Sequence, residues 1–278
     1  MAATASYLEA RVRRGRWLLR IEDIDPPREQ PGADRRIIRA LAAYGFEWDG
    51  PIVYQSRRRE RHEEVVRQLL DRGLAYRCCC TRRDLAGCHR GPLGAVYPGT
   101  CRAGSSGRHT AIRLRTTDEP VGFEDRLQGE QSMRLESESG DFVIRRRDGL
   151  IAYQLAVVVD DADDGVTEVV RGIDLLPATP RQVYLQELLG SPHPAYAHIP
   201  VAENAEGQKL SKTTGARPIP SDRPGATLVA ALAALQQRPD PGLDSALLTD
   251  VWEWAFANWR LDALAGIRNI ALQHYCSD

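Results

Sequence analysis

Apolar residues in the first part of the chain recur at helical spacing and stop at glycines. ATASYLEARVRR (3–14) predicts a helix ended by Gly15, and WLLRIE (17–22) predicts a short apolar strand running into an acidic, proline-rich turn, DIDPPRE. Loops at strand ends are where α/β sheets gather their sites. GADRRIIRALAAYG (32–45) and SRRRERHEEVVRQLLDRG (56–73) read as helices with Gly45 and Gly73 as their C-caps. Ile37, Ile38 and Leu41 form the inward face of the first, and Val65, Leu69 and Leu70 that of the second.

Residues 76–143 break this rhythm with clustered Cys and Gly, short strands such as AIRLR, and a polar tract, RLESESG. They read as an insertion. The α/β pattern resumes with GLIAYQLAVVVDD (149–161), a buried strand or a strand fed by a helix. TEVVRG follows as a strand and ATPRQVYLQELLG as a helix capped by Gly190. Residues 226–278 read as helical apart from the PDPG break at 239–242. Four segments follow: 1–75 as the first part of an α/β domain, 76–143 as the insertion, 144–190 as the second part, and 191–278 as a loop with a helical C-terminal region.

Composition narrows the class. With 42% hydrophobic and 27% charged residues, this is ordinary globular chemistry, and no apolar run reaches the roughly 18 residues a membrane span needs. The N-terminus lacks the apolar core of a secretory signal, so a cytoplasmic location is expected. The net charge of −1 argues against a chain coated in positive charge for nucleic acid. Arg57-Arg58-Arg59 and Arg145-Arg146-Arg147 remain candidate basic contacts. Five of the six cysteines fall between Cys78 and Cys101, a clustering that in a cytosolic chain points to metal before disulfides. Cys78 and Cys80 can turn both thiolates to one ion, with Cys101 as a third ligand; spacing alone nominates Cys88 or His89 as the fourth.

Of the 37 basic residues only two are lysine, Lys209 and Lys212, both in EGQKLSKTTG (206–215). Lysine is a compact charge on a flexible stem, suited to a mobile loop that follows a phosphate. KLSK resembles the KMSKS loop of class I aminoacyl-tRNA synthetases, and VVVDDADDGVTEVVRGIDLLPATPRQ (157–182) resembles the matching segment of their glutamyl subclass. RIEDIDPPRE (20–29) is similar to that subclass's RIEDTD-type turn. The three motifs occur in the family's order and spacing, and the likeness runs from residue 3 to about residue 260.

The resemblance implies a class I synthetase-like Rossmann domain with a parallel sheet, a zinc-bearing insertion and a short helical C-terminal region. It implies activation of L-glutamate by ATP with Mg²⁺ to glutamyl-adenylate. In the short members of the subclass the glutamyl group then passes to the queuosine base of tRNA(Asp). By resemblance Lys212, supported by Lys209, holds the ATP phosphates, Glu22 takes the substrate amine, and Tyr153 and Arg171 complete the glutamate pocket. The family's C-x-C…Y-x-x-x-C pattern points to one structural Zn²⁺ held by Cys78, Cys80, Tyr97 and Cys101. A monomer without membrane attachment is expected.

No HIGH-type motif occurs in residues 1–278. The resemblance places it, with the first strand, upstream of residue 1; a start further upstream is expected, with a truncated paralogue as the alternative. The 66 residues after Lys212 are too few for a full anticodon-binding region, which favours the queuosine-directed branch over a fragment that charges tRNA(Glu). A non-catalytic tRNA-binding module is the rival from outside enzymology.

Overall fold

The computed structural model describes residues 1–105, 107, 109–204, 206–210, 219–220 and 222–271. The first predicted helix forms as α1 (Ala2–Val12). Of the predicted strand 17–22 only β1 (Arg20–Ile21) pairs in register, parallel to β2 (Val53–Tyr54), while the carbonyls of Trp17 and Leu19 accept the N–H groups of Asp49 and Val53 at 2.8 and 3.0 Å. Between them lies α2 (Ala33–Ala43), and after them α3 (Arg59–Asp71), entered through a 3-10 turn at Gln55–Arg58. Gly45 and Gly73 both end their helices at positive φ, 74° and 69°.

The cysteine-rich stretch holds β3 (Ala75–Cys78), the small pair β4 (Arg90–Gly91) and β5 (Gly94–Ala95), and β6 (Ala111–Leu114). The hairpin β7 (Pro120–Asp125) and β8 (Gly129–Arg134), the one-turn helix α4 (Leu135–Glu138) and β9 (Val143–Arg145) complete it. Strands β3, β6 and β9 make one antiparallel sheet. Next come α5 (Tyr153–Asp163), β10 (Glu168–Gly172), α6 (Thr179–Leu189), β11 (Ala195–Ile199) and β12 (Val201–Glu203). The chain continues through α7 (Pro224–Ala234) and α8 (Leu248–Asn258) to β13 (Asn269–Ala271). The central sheet runs β10-β11-β7-β8: β10 and β11 pair in parallel over five residues, and the β7–β8 hairpin joins them through Tyr196 and Asp125.

Two apolar cores hold this frame. One packs α3, α5 and α6 against both sheets around Val66, Leu69, Leu155 and Leu185, each at most 1% exposed. Truncating such a leucine to alanine costs about 2–5 kcal/mol, the transfer term plus the cavity left behind. The other seats α1 on α7 and α8, with the Tyr7 ring meeting Trp17, Phe46 and Trp252 edge-on at 5.1–5.2 Å.

Three expectations are corrected. The segment 149–161 holds no strand, whether or not fed by a helix: residues 153–163 form α5, and its run from Leu155 to Asp160 is buried on every side, so no 3.6-residue stripe marks it as helical. The proposed inward face of α2 is shallow, with Ile37 51% exposed and no residue of the helix fully buried, because the helix lies at the surface. The tail is not helical throughout, since Asn269–Ala271 pairs in parallel with Val201–Glu203. Both arginine clusters are largely engaged: Arg58 pairs with Asp164, Arg57 lies 4.8 Å over the Tyr54 ring, Arg145 and Arg146 pair with Glu63 and Asp25, and Arg147 bonds the His109 carbonyl. Among the described residues no helix is long and apolar enough to cross a membrane.

Candidate active site and cysteine cluster

A cleft of about 780 Å³ opens between β1 and β10, and Arg20, Glu22, Tyr153, Asp161 and Arg171 all face it. Glu22 follows the carboxyl end of β1 and Arg171 sits one residue from the end of β10, where parallel sheets present their sites. Tyr153 opens α5, and Asp161 lies two turns further along it. All three glutamate-pocket residues expected from the sequence therefore come together.

The acidic side of the cleft is short of positive charge. Arg20 Nη2 is 2.7 Å from Asp161 Oδ1 and 3.6 Å from Glu22 Oε1, so one guanidinium serves both carboxyls. Burial raises the Glu22 carboxyl above the usual carboxylate range; Arg20 opposes this and Asp161 adds to it. Burial raises Asp161 likewise, against Arg20. A cationic group entering the cleft relieves that imbalance.

Across the cleft Arg171 is held from behind. Its Nε donates to His198 Nε2 at 3.0 Å, and its Nη2 donates to Thr179 Oγ1 at 2.8 Å and to Gln182 Oε1 at 2.7 Å. Nη1 makes no hydrogen bond among the described residues. Neither Asp160 nor Asp174 pairs with Arg171: Asp160 binds His62 and Gln55 at 2.9 and 2.8 Å, and Asp174 binds Lys209. A guanidinium with one edge open toward a cleft matches a carboxylate ligand.

Lys209 Nζ lies 2.6 Å from Asp174 Oδ2, in the 3-10 turn that follows β10, so the KLSK segment begins beside the strand that carries Arg171. Lys212 lies outside the described residues. Arg20, Asp161, Asp125, His198, Thr179 and Gln182 were not anticipated. The alternation in AYAHI signals a buried histidine at 198, but its partner Asp125 is 73 residues away.

The cysteine cluster is separate. The Sγ atoms of Cys78, Cys80 and Cys101 lie within 4.8 Å of one another and could hold a metal ion. Tyr97 Oη is 3.3 Å from Cys78 Sγ and 3.6 Å from Cys80 Sγ, and Cys80 Sγ is 3.6 Å from Cys101 Sγ. Tetrahedral Zn–S bonds of about 2.3 Å give edges near 3.8 Å, so the donor set fits such an ion with small adjustment. Cys88 and His89, favoured by spacing, are not in this set. Tyr97 is fixed from both sides: Cys101 N donates to its hydroxyl oxygen at 2.8 Å, and its backbone bridges to Gly140, where φ is 67° and any Cβ would overlap the Tyr97 main chain. Burial and the neighbouring thiols raise the Tyr97 phenol well above the usual tyrosine range, so without an ion it stays protonated.

Residues 1–219 match the family described as tRNA synthetases class I (E and Q), catalytic domain. The chain belongs to this family. It is 51% identical over 272 residues, 98% of this chain and 91% of the relative, to the glutamyl-Q tRNA(Asp) synthetase of Ectopseudomonas mendocina (strain ymp). To the protein of the same name from Pseudomonas aeruginosa (strain ATCC 15692) it is 51% identical over 260 residues, 93% of this chain and 87% of the relative. In structure it resembles a glutamate tRNA ligase from Elizabethkingia meningosepticum CCUG26117, crystallised in complex with its amino acid, with a TM-score of 0.78 at 24% identity. That alignment covers 98% of this chain but 63% of the ligase, so the chain spans less than two thirds of its length. The α/β fold with a parallel sheet is therefore the class I synthetase fold, and the family makes the chain a ligase of the aminoacyl-tRNA synthetase-like class that uses ATP with Mg²⁺.

Proposed function

We propose that the protein activates L-glutamate with ATP to glutamyl-adenylate and transfers the glutamyl group to the queuosine base of tRNA(Asp). One observation carries the substrate: a guanidinium with an open edge lines the same cleft as two carboxyls that share a single cation. Glutamate needs that polarity, an anion for its amine and a cation for a carboxylate. Glu22 binds the ammonium, Arg171 a carboxylate, and Tyr153 lines the pocket between them. The names borne by the relatives support the acceptor.

A glutamate carboxylate attacks the α-phosphate and pyrophosphate leaves; the acyl group then passes to the nucleoside with release of AMP. Catalysis here is positioning and charge stabilisation. Lys212 and Lys209 steady the ATP phosphates, and Mg²⁺ bound with ATP would supply further neutralising charge. Cys78, Cys80, Tyr97 and Cys101 would hold one structural Zn²⁺, which would supply a cross-link between β3 and the loop after β5. Residues 1–75 and 144–190 make the catalytic domain, 76–143 the zinc-bearing insertion, and 191–278 the KLSK loop and C-terminal region of a cytoplasmic monomer.

Glutamate-dependent ATP–pyrophosphate exchange tests the first step, measured on residues 1–278 and on any longer in-frame form of the chain. Exchange by either, followed by glutamyl transfer to tRNA(Asp) containing queuosine but not to tRNA(Asp) lacking it, is the expected result. Transfer to the 3′ end of tRNA(Glu) would reassign the acceptor. No exchange by either form, with tRNA binding retained, would make the protein a binding module.

A further inference from the structure

We infer that Asp125 and His198 are positioning residues for Arg171: together they fix the imidazole tautomer that holds the guanidinium with its Nη1 edge facing the ligand. The inference rests on the reading of Arg171 as the residue that binds a glutamate carboxylate.

Asp125 and His198 are 1% and 0% exposed, yet neither touches the cleft. Asp125 Oδ1 accepts three backbone N–H groups, from Leu127, Gln128 and His198, at 2.9–3.2 Å. That leaves Oδ2 for His198 Nδ1, at 2.6 Å. A carboxylate oxygen only accepts, so Nδ1 carries the proton and Nε2 is left with its lone pair. The lone pair faces Arg171 Nε at 3.0 Å. Thr179 Oγ1 and Gln182 Oε1 fix Nη2, and the Tyr196 ring lies 5.4 Å under the guanidinium carbon. Three of the five guanidinium N–H groups are thereby committed, and the two on Nη1 remain for substrate. The chain of charge runs from anion through neutral ring to cation, so the acceptor that holds Arg171 Nε is a neutral nitrogen and not a carboxylate.

The tautomer argument makes an isosteric change informative. In Asp125→Asn the three backbone donors keep the amide oxygen at the Oδ1 position. The NH₂ group is then turned toward His198 Nδ1, the ring proton moves to Nε2, and an N–H opposes the Arg171 N–H. His198→Gln places an amide oxygen near the Nε2 position and keeps the acceptor, whereas His198→Leu removes it.

The test uses the full chain at pH 7.5, reading the ¹⁵N–¹H resonance of Arg171 Nε for protection from solvent exchange and the Kd for radiolabelled L-glutamate by equilibrium dialysis. Arg171 Nε–H is expected to be protected in the wild type and in His198→Gln, with glutamate Kd within about threefold of each other. Protection is expected to vanish in Asp125→Asn and His198→Leu, and the Kd to rise at least tenfold while ATP affinity holds. If Asp125→Asn fails to fold, the Gln and Leu variants of His198 decide. Unchanged protection and Kd in the folded variants, with wild-type glutamate binding intact, overturn the positioning role and leave the substrate reading standing. Protection that follows the expected pattern without glutamate binding in the wild type overturns the substrate reading instead.

Discussion

Lys209 Nζ and Asp174 Oδ2 form an ion pair of 2.6 Å between the start of the KLSK segment and the turn after β10. Their side chains are 50% and 41% exposed, so the pair adds little to stability, under about 1 kcal/mol, and acts on where the loop begins. Asp174→Asn is expected to leave the thermal midpoint nearly unchanged. Lys212→Ala is expected to lower the rate of ATP–pyrophosphate exchange by about 10²–10³-fold, the cost of one lost charge-stabilising donor, and Lys209→Ala by less. Exchange assays with thermal melts check both.

The cysteine cluster predicts a pattern of metal content. Protein expressed with zinc is expected to carry one ion per chain, and serine at Cys78, Cys80 or Cys101 to remove it. Cys79→Ser and Cys88→Ser are expected to keep it, and Tyr97→Phe to weaken binding, because the hydroxyl sits against two of the three thiols. Atomic emission on dialysed protein reads the stoichiometry; zinc retained by Cys101→Ser would contradict the assignment.

Asp141 ties distant parts of the insertion together. It accepts from Arg102 at 2.6 and 2.7 Å, from the Tyr76 hydroxyl at 2.5 Å, and from Thr116 N and Oγ1 at 2.8 and 2.9 Å, while 1% exposed. Asp141→Ala leaves these donors without their acceptor and is expected to destabilise the fold by about 3–5 kcal/mol in urea titration.

Acid is expected to destabilise the protein in two stages. Burial pushes Asp125, Asp141 and Asp160 upward, but hydrogen bonds from His198 and backbone amides, from Arg102, Tyr76 and Thr116, and from His62 and Gln55 outweigh it and hold all three below the ordinary 3.8. A folded value below the unfolded one gives stability that is present above 3.8 and lost as pH falls through the folded values. Burial, with the Arg171 charge adding, also lowers His198 from 6.5 against the pull of Asp125. Its contribution is full above 6.5 and declines below it, by the same sign. The urea midpoint should therefore slip below pH 6.5 and fall steeply below 3.8; a flat midpoint from pH 7.5 to 3.5 would contradict this.

Much of this architecture was legible in local chemistry, and the exceptions have physical causes. Gly73 and Gly190 mark helix ends because both need positive φ, and α3 and α6 end where those glycines say. Helix α5 was hidden because burial on all sides erases its periodicity. Strand β13 was hidden because three residues pair with a segment some 70 positions earlier, beyond the reach of any local pattern. The pocket residues Glu22, Tyr153 and Arg171 came from motif resemblance. The groups that hold Arg171 come from three elements, β7, β11 and α6, and only folding brings them together.

The most direct measurement of the central claim is ATP–pyrophosphate exchange with L-glutamate, L-glutamine and L-aspartate, in the wild type and in Arg171→Leu. The account predicts exchange with glutamate well above the other two and a loss of at least 100-fold in Arg171→Leu, with the thermal midpoint retained. Equal exchange with glutamine, or glutamate exchange unchanged in Arg171→Leu, would contradict it.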